Sequence, residues 1–92
     1  MGAKKYSCPC CGYKVFDNPS PGNDYAICPI CFWEDDPIGF DVPEEECGCN
    51  GISLIEAQTN FEEFGACRKD MVKNVRQPNE NDSRGKKRIV GH

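Results

Sequence analysis

The sequence predicts a small α+β domain: a β-hairpin carrying two cysteine knuckles, one or two short helices packed on it, and a disordered C-terminal tail. Three observations carry this. Cys8 and Cys11 form one C-x2-C pair and Cys28 and Cys31 another, with sixteen residues between the pairs. Segments 13–17 and 25–27 are rich in aromatic and β-branched residues, which suit strands. Ser53 and Glu56 form an S-x-x-E capping box at the head of an apolar stripe of helical period. The cysteine spacing falls in the tetrathiolate range. Two intervening residues let a tight turn aim both sulfurs at one point, and four thiolates at about 2.3 Å close a tetrahedral structural zinc site. The expected architecture is therefore zinc-ribbon-like. Zn2+ is the expected ion at Cys8, Cys11, Cys28 and Cys31, with Fe the alternative that the same sulfur set accepts.

Ninety-two residues allow one domain, read here as 1–78 followed by a basic tail at 79–92. So short a chain buries little surface, and a metal is a natural staple. Eight cysteines fit either a disulfide scaffold or metal binding. The first seven residues hold no apolar run after their lysines, so no export signal is expected. That places the protein in the reducing cytoplasm, where cysteine clusters hold metal rather than disulfides. No stretch approaches the length of a membrane span. The net charge of −4 is unevenly spread. Seven acidic residues and no basic one lie between Glu34 and Glu46, whereas Arg68–His92 carries eight Lys or Arg against three acids. An acidic body argues against a general nucleic-acid binder.

In chain order, Pro9 and Pro29 pre-set a backbone angle inside each knuckle, and Gly12 permits a left-handed turn. Strand 13–17 leads into the turn-rich run Asn18–Asp24, and 25–27 returns as a second strand to Cys28. Phe32 and Trp33 then shield the thiolates from water. Glu34, Asp35 and Asp36 read as solvated carboxylates on a loop, and Pro37–Gly51 as a loop with little regular structure. The helix beginning at Ser53 places Leu54, Ala57, Phe61 and Phe64 on one face and stops at Gly65. Met71, Val72 and Val75 form a short apolar set suited to closing the core. From Asn79 the chain is polar and expected to be disordered. The single histidine is His92, and no nucleophile–base pair is visible, so no enzyme is expected.

Cys10, Cys47, Cys49 and Cys67 remain. They can be free thiols, a second tetrahedral metal site, or, for Cys47 and Cys49, a dithiol redox pair. The acidic stretch offers Glu34, Asp35, Asp36, Glu44, Glu45 and Glu46 as a partner-binding face.

Several motifs together resemble the bacterial family of small cysteine-rich proteins named for its CPCC motif. They are C-P-C-C-G-Y at 8–13, I-C-P-I-C-F-W-E-D-D at 27–36, Asn50-Gly51, Ser53-Leu54, Asn60-Phe61 and F-G-A-C at 64–67. The likeness covers roughly residues 7–76 and implies zinc at the four knuckle cysteines. It also implies a use for Cys10, packed or reactive beside the metal. The family pattern leads one to expect proline near position 49, where this chain has Cys49, so the Cys47–Cys49 pair is particular to it. A second likeness, C-x-x-C-G-Y followed by V-F-D, is to the first half of a rubredoxin iron site, although Phe32 stands where rubredoxins have glycine.

Three functions follow as expectations. The first is a structural-zinc module that binds another protein, in one concrete form an immunity or antitoxin-type inhibitor whose acidic loop covers a basic site. The second is a rubredoxin-like or dithiol redox protein. The third is a nucleic-acid-binding ribbon using Arg84-Gly-Lys-Lys-Arg.

Overall fold

The computed structural model describes residues 4–46 and 50–88. Strands β1 (Tyr6–Ser7) and β2 (Lys14–Phe16) pair antiparallel around the first knuckle, Tyr6 opposite Phe16 and Ser7 opposite Lys14. The result is a small α+β arrangement, but the long ribbon pairing 13–17 with 25–27 does not form. Each knuckle is closed by its own neighbours instead: β1 and β2 flank the first, and an isolated Ile27–Glu34 bridge flanks the second. The reason is local. Asp24 and Tyr25 take φ of 52° and 63°, left-handed values that cannot continue a strand. Asn23 sets this turn. Its side chain bonds both the N–H and the carbonyl of Asn18, and its own backbone and side-chain N–H groups donate to Asp35 Oδ2 at 3.0 and 2.7 Å.

Helix α1 (Pro37–Asp41) occupies part of the stretch expected to be an irregular loop. Asp36 is its N-cap, accepting the Ile38 N–H at 3.1 Å, and Pro37 sits in the first turn, where its missing N–H costs nothing. Gly39 lies so close to Trp33 that a Cβ there would come within 3.1 Å of the indole.

Helix α2 (Leu54–Phe64) forms where its capping box predicts. Ser53 Oγ accepts the Glu56 N–H at 3.0 Å, and Gly65 ends the helix at φ 83°. Its buried residues are Leu54, Ala57 and Gln58. A 3-10 helix (Lys69–Asn74) follows, with none of its residues buried. Val72 is 44% exposed, so this segment does not close the core as its apolar residues suggested. Among the described residues, no helix is long and apolar enough to cross a membrane.

The core gathers Phe16, Ile30, Trp33, Leu54 and Ala57 around six cysteines, with Tyr13, Val15, Phe32, Ile52 and Phe61 packed against it. Asn50 pins the segment that follows the second knuckle. Its side chain accepts the Glu34 N–H at 2.8 Å and donates to the Glu34 carbonyl at 3.0 Å, imitating a strand partner. Asn50→Ala leaves both groups without that partner. The expected loss is about 1–3 kcal/mol, read from denaturant midpoints of the metal-loaded protein.

Composition predicts disorder from residue 79; as far as Arg88 the structure gives this segment hydrogen-bond partners. Arg76 forks onto Asp82 at 2.8 and 2.9 Å, and the Asn79 N–H adds a third bond. The Arg76 guanidinium, before that N–H, holds the Asp82 carboxyl down at about 2. Beyond it, Lys14 N–H donates to the Ser83 carbonyl and Tyr13 bridges Arg84. Partners far away in sequence order this segment, and composition carries no trace of them.

Candidate metal centre

Each knuckle is a tight turn closed by the same two hydrogen bonds. In the first, Gly12 N–H donates to the Cys8 carbonyl at 2.8 Å and Cys8 N–H to the Tyr13 carbonyl at 2.9 Å. In the second, Phe32 N–H donates to the Cys28 carbonyl at 2.8 Å and Cys28 N–H to the Trp33 carbonyl at 2.9 Å. The position after the fourth knuckle residue must be left-handed in both: Gly12 has φ 84° and Phe32 φ 71°. Glycine takes that conformation freely, whereas a side chain pays about 1–2 kcal/mol for it. Phe32→Gly is therefore expected to be less destabilising than Phe32→Val, although valine keeps more apolar volume. Denaturant midpoints of the two variants check the order.

The knuckles face each other and bring four sulfurs together. Cys8 Sγ lies 3.5 Å from Cys31 Sγ and Cys11 Sγ 3.7 Å from Cys28 Sγ, and all four lie within 4.8 Å of one another. The edge of a tetrahedron with metal–sulfur bonds of about 2.3 Å is about 3.8 Å. A disulfide would need about 2.05 Å. The donor set and its spacing thus fit a tetrahedral thiolate ion such as Zn2+ or Fe. All four cysteines are fully buried.

Backbone N–H groups point into the cluster. Those of Ile30 and Cys31 lie 3.4 Å from Cys28 Sγ, and that of Trp33 lies 3.4 Å from Cys31 Sγ. Hydrogen bonds from the neighbouring thiols of Cys11, Cys31 and Cys8 pull the Cys28 thiol far below its ordinary pKa. Burial, then the competing neighbours, pushes Cys8 and Cys31 well up. A cation binding here must therefore displace protons that burial favours at Cys8 and Cys31.

Of the second set of thiols, Cys10 and Cys67 are buried in the same core. Burial pushes Cys67 up to about 12, so it stays a protonated, unreactive thiol at neutral pH. Cys47 and Cys49 lie outside the described residues. Among the described residues, the group placed to hold a metal is Cys8, Cys11, Cys28 and Cys31.

The acidic face divides. Glu44, Glu45 and Glu46 are exposed, and Glu34 is half-buried. Asp35 and Asp36 are buried rather than solvated on a loop. One holds Asn23 and the other caps α1, both tasks that need an acceptor inside the fold.

Sequence reasoning missed the residues that hold the knuckles from outside. Gln58 Nε2 donates to the Pro9 carbonyl at 2.8 Å, Arg84 Nε to the Cys11 carbonyl at 2.9 Å, and Cys67 N–H to the Cys31 carbonyl at 2.7 Å. A glutamine on the apolar side of α2 was the one available hint.

A family model described as cysteine-rich CPCC matches residues 6–82. No curated protein and no solved structure matches the chain.

Proposed function

Because this chain belongs to the cysteine-rich CPCC family, and because its four knuckle sulfurs converge in a fully buried cluster, we propose that it is a structural-zinc module working through protein recognition. The carrying observation is that cluster. Four protein sulfurs complete a tetrahedral ion and leave no position for water or substrate, which is the arrangement of structural rather than catalytic zinc. The ion ties the two knuckles together, and the surface they support does the work. On that surface Ile38 of α1 and Val42, its C-cap, are exposed beside Asp41, Glu44, Glu45 and Glu46. An apolar patch with an acidic rim suits a partner with a basic face, as an inhibitor of the immunity type would require. We place the protein in a reducing compartment, the cytoplasm, where the thiols stay available to metal.

The rubredoxin-like reading keeps one observation in its favour. The N–H groups aimed at Cys28 and Cys31 are the kind of contact that tunes an iron–sulfur potential. The nucleic-acid reading is the weakest, because Arg84 of the basic run is already engaged by Glu62 and the Cys11 carbonyl.

Elemental analysis of untagged protein separates these. One zinc per chain in a colourless sample supports the first reading; a red iron protein with a reversible couple overturns it in favour of the second. Charge reversal at Glu44, Glu45 and Glu46 weakens capture of the partner, and unchanged capture removes the acidic rim from the proposal.

A further inference from the structure

We propose that residues 83–88 are a clasp over the first knuckle, and that its seating sets how fast the metal centre exchanges its ion. The proposal rests on the metal reading above. The clasp lies beyond the residues matched by the family model, which end at 82. It runs against the knuckle backbone: Gly85 N–H donates to the Gly12 carbonyl at 2.7 Å and Arg88 N–H to the Pro9 carbonyl at 3.0 Å. Two arginines anchor it. Arg84 gives Nε to the Cys11 carbonyl and a guanidinium nitrogen to Glu62, and lies over the rings of Tyr13 and Phe61. Arg88 gives Nε to the Phe40 carbonyl at 2.7 Å and lies over the Phe40 ring. Gln58 ties the ends together, donating to both the Pro9 and Arg88 carbonyls.

Two physical consequences follow. For Cys8 or Cys11 to leave the ion, the turn between them must open, and the carbonyls of Pro9, Cys11 and Gly12 are held by the clasp. Zn2+ with four thiolates also carries two net negative charges, and the clasp, which holds Arg84 on the Cys11 carbonyl, is rich in cations, with Lys86, Lys87 and Arg88 in the same six residues. Release therefore requires both the loss of several hydrogen bonds and the separation of opposite charges.

The fit at the crossing point is close enough to test with one atom group. A Cβ on Gly85 would collide with Ser7 Oγ and meet Lys14 Cε at 3.0 Å. Both atoms end flexible side chains that can turn aside for a single carbon, so Gly85→Val, whose branched side chain adds two methyls at that crossing, is used to crowd the clasp in the full chain with every cysteine in place. The control is Gly65→Ala at the end of α2, which strains a left-handed glycine with nothing within 4 Å of the added carbon. It destabilises the protein without touching the clasp. Each protein is loaded with zinc, its stoichiometry measured, and release to excess EDTA followed with a metallochromic dye. Trypsin cleavage at Lys86 and Lys87 reports seating independently.

The expected result is one zinc in all three proteins, release at least about tenfold faster for Gly85→Val than for wild type, faster tryptic cleavage of that variant, and a wild-type rate for Gly65→Ala. Equal release from wild type and from a loaded variant whose faster tryptic cleavage shows the clasp unseated overturns the clasp and leaves the metal reading standing. Equal acceleration by both variants also overturns it, since general stability is then the cause. A wild-type chain that binds no zinc removes the metal reading and the clasp together. If Gly85→Val fails to load, or is cleaved no faster than wild type, Arg84→Ala takes its place under the same criteria.

Discussion

The expected result of excess chelator is unfolding of the chain once it has been loaded with zinc, and Cys28→Ser is expected to prevent it from folding at all. Six of the eleven residues in the buried core cluster are cysteines, so the centre of the molecule is held by sulfur rather than hydrocarbon. Structural zinc in small domains contributes about 10–16 kcal/mol at neutral pH. Net domain stability is only about 5–15 kcal/mol. The first number covers the second, and without the ion the folded state loses its advantage. Acid acts in the same direction. Burial raises Cys8 and Cys31, so their protons must be displaced for the ion to bind. Falling pH favours the protonated, metal-free cluster, and affinity and fold are lost together. Circular dichroism with and without chelator, and a metal titration at several pH values, check this. An apo chain that keeps a cooperative unfolding transition would refute it.

Trp33→Ala costs about 3–5 kcal/mol even with the ion bound. Trp33 is fully buried and stands between the second knuckle and α1, its ring against Gly39. Removing the ring leaves a void that α1 can fill only by leaving its cap at Asp36. Trp33→Phe retains most of the volume and loses much less, because the indole N–H has no hydrogen-bond partner among the described residues. Denaturant midpoints at saturating zinc measure both. A loss below about 1 kcal/mol for alanine would mean that α1 collapses onto the gap or does not rest on the ring.

Local pattern told most about the features that are themselves local. The two C-x2-C turns need only their prolines, their left-handed fifth residue and their spacing. The cap of α2 needs only Ser53 and its stop only Gly65. Even α1 was legible, because Asp36-Pro37 is a helix start; the density of prolines and glycines around it made a loop the easier reading. Tyr25-Ala26-Ile27 misled for the opposite reason. Its residue types suit a strand, but the Asn23–Asp35 bonds force the preceding turn into a conformation that a strand cannot follow.

That four thiols would meet was legible from residue order, because a knuckle is a short-range object and its geometry is written in adjacent residues. Which carboxylates are internal, which glutamine and arginines grip the knuckles, and the course of a polar C-terminal run along the first of them emerged with the folded chain. Those outcomes depend on hydrogen bonds between residues as distant in sequence as Arg88 and Pro9, or Arg84 and Cys11. Composition cannot encode such a partnership, since a polar side chain reads the same whether its partner is water or a distant carbonyl.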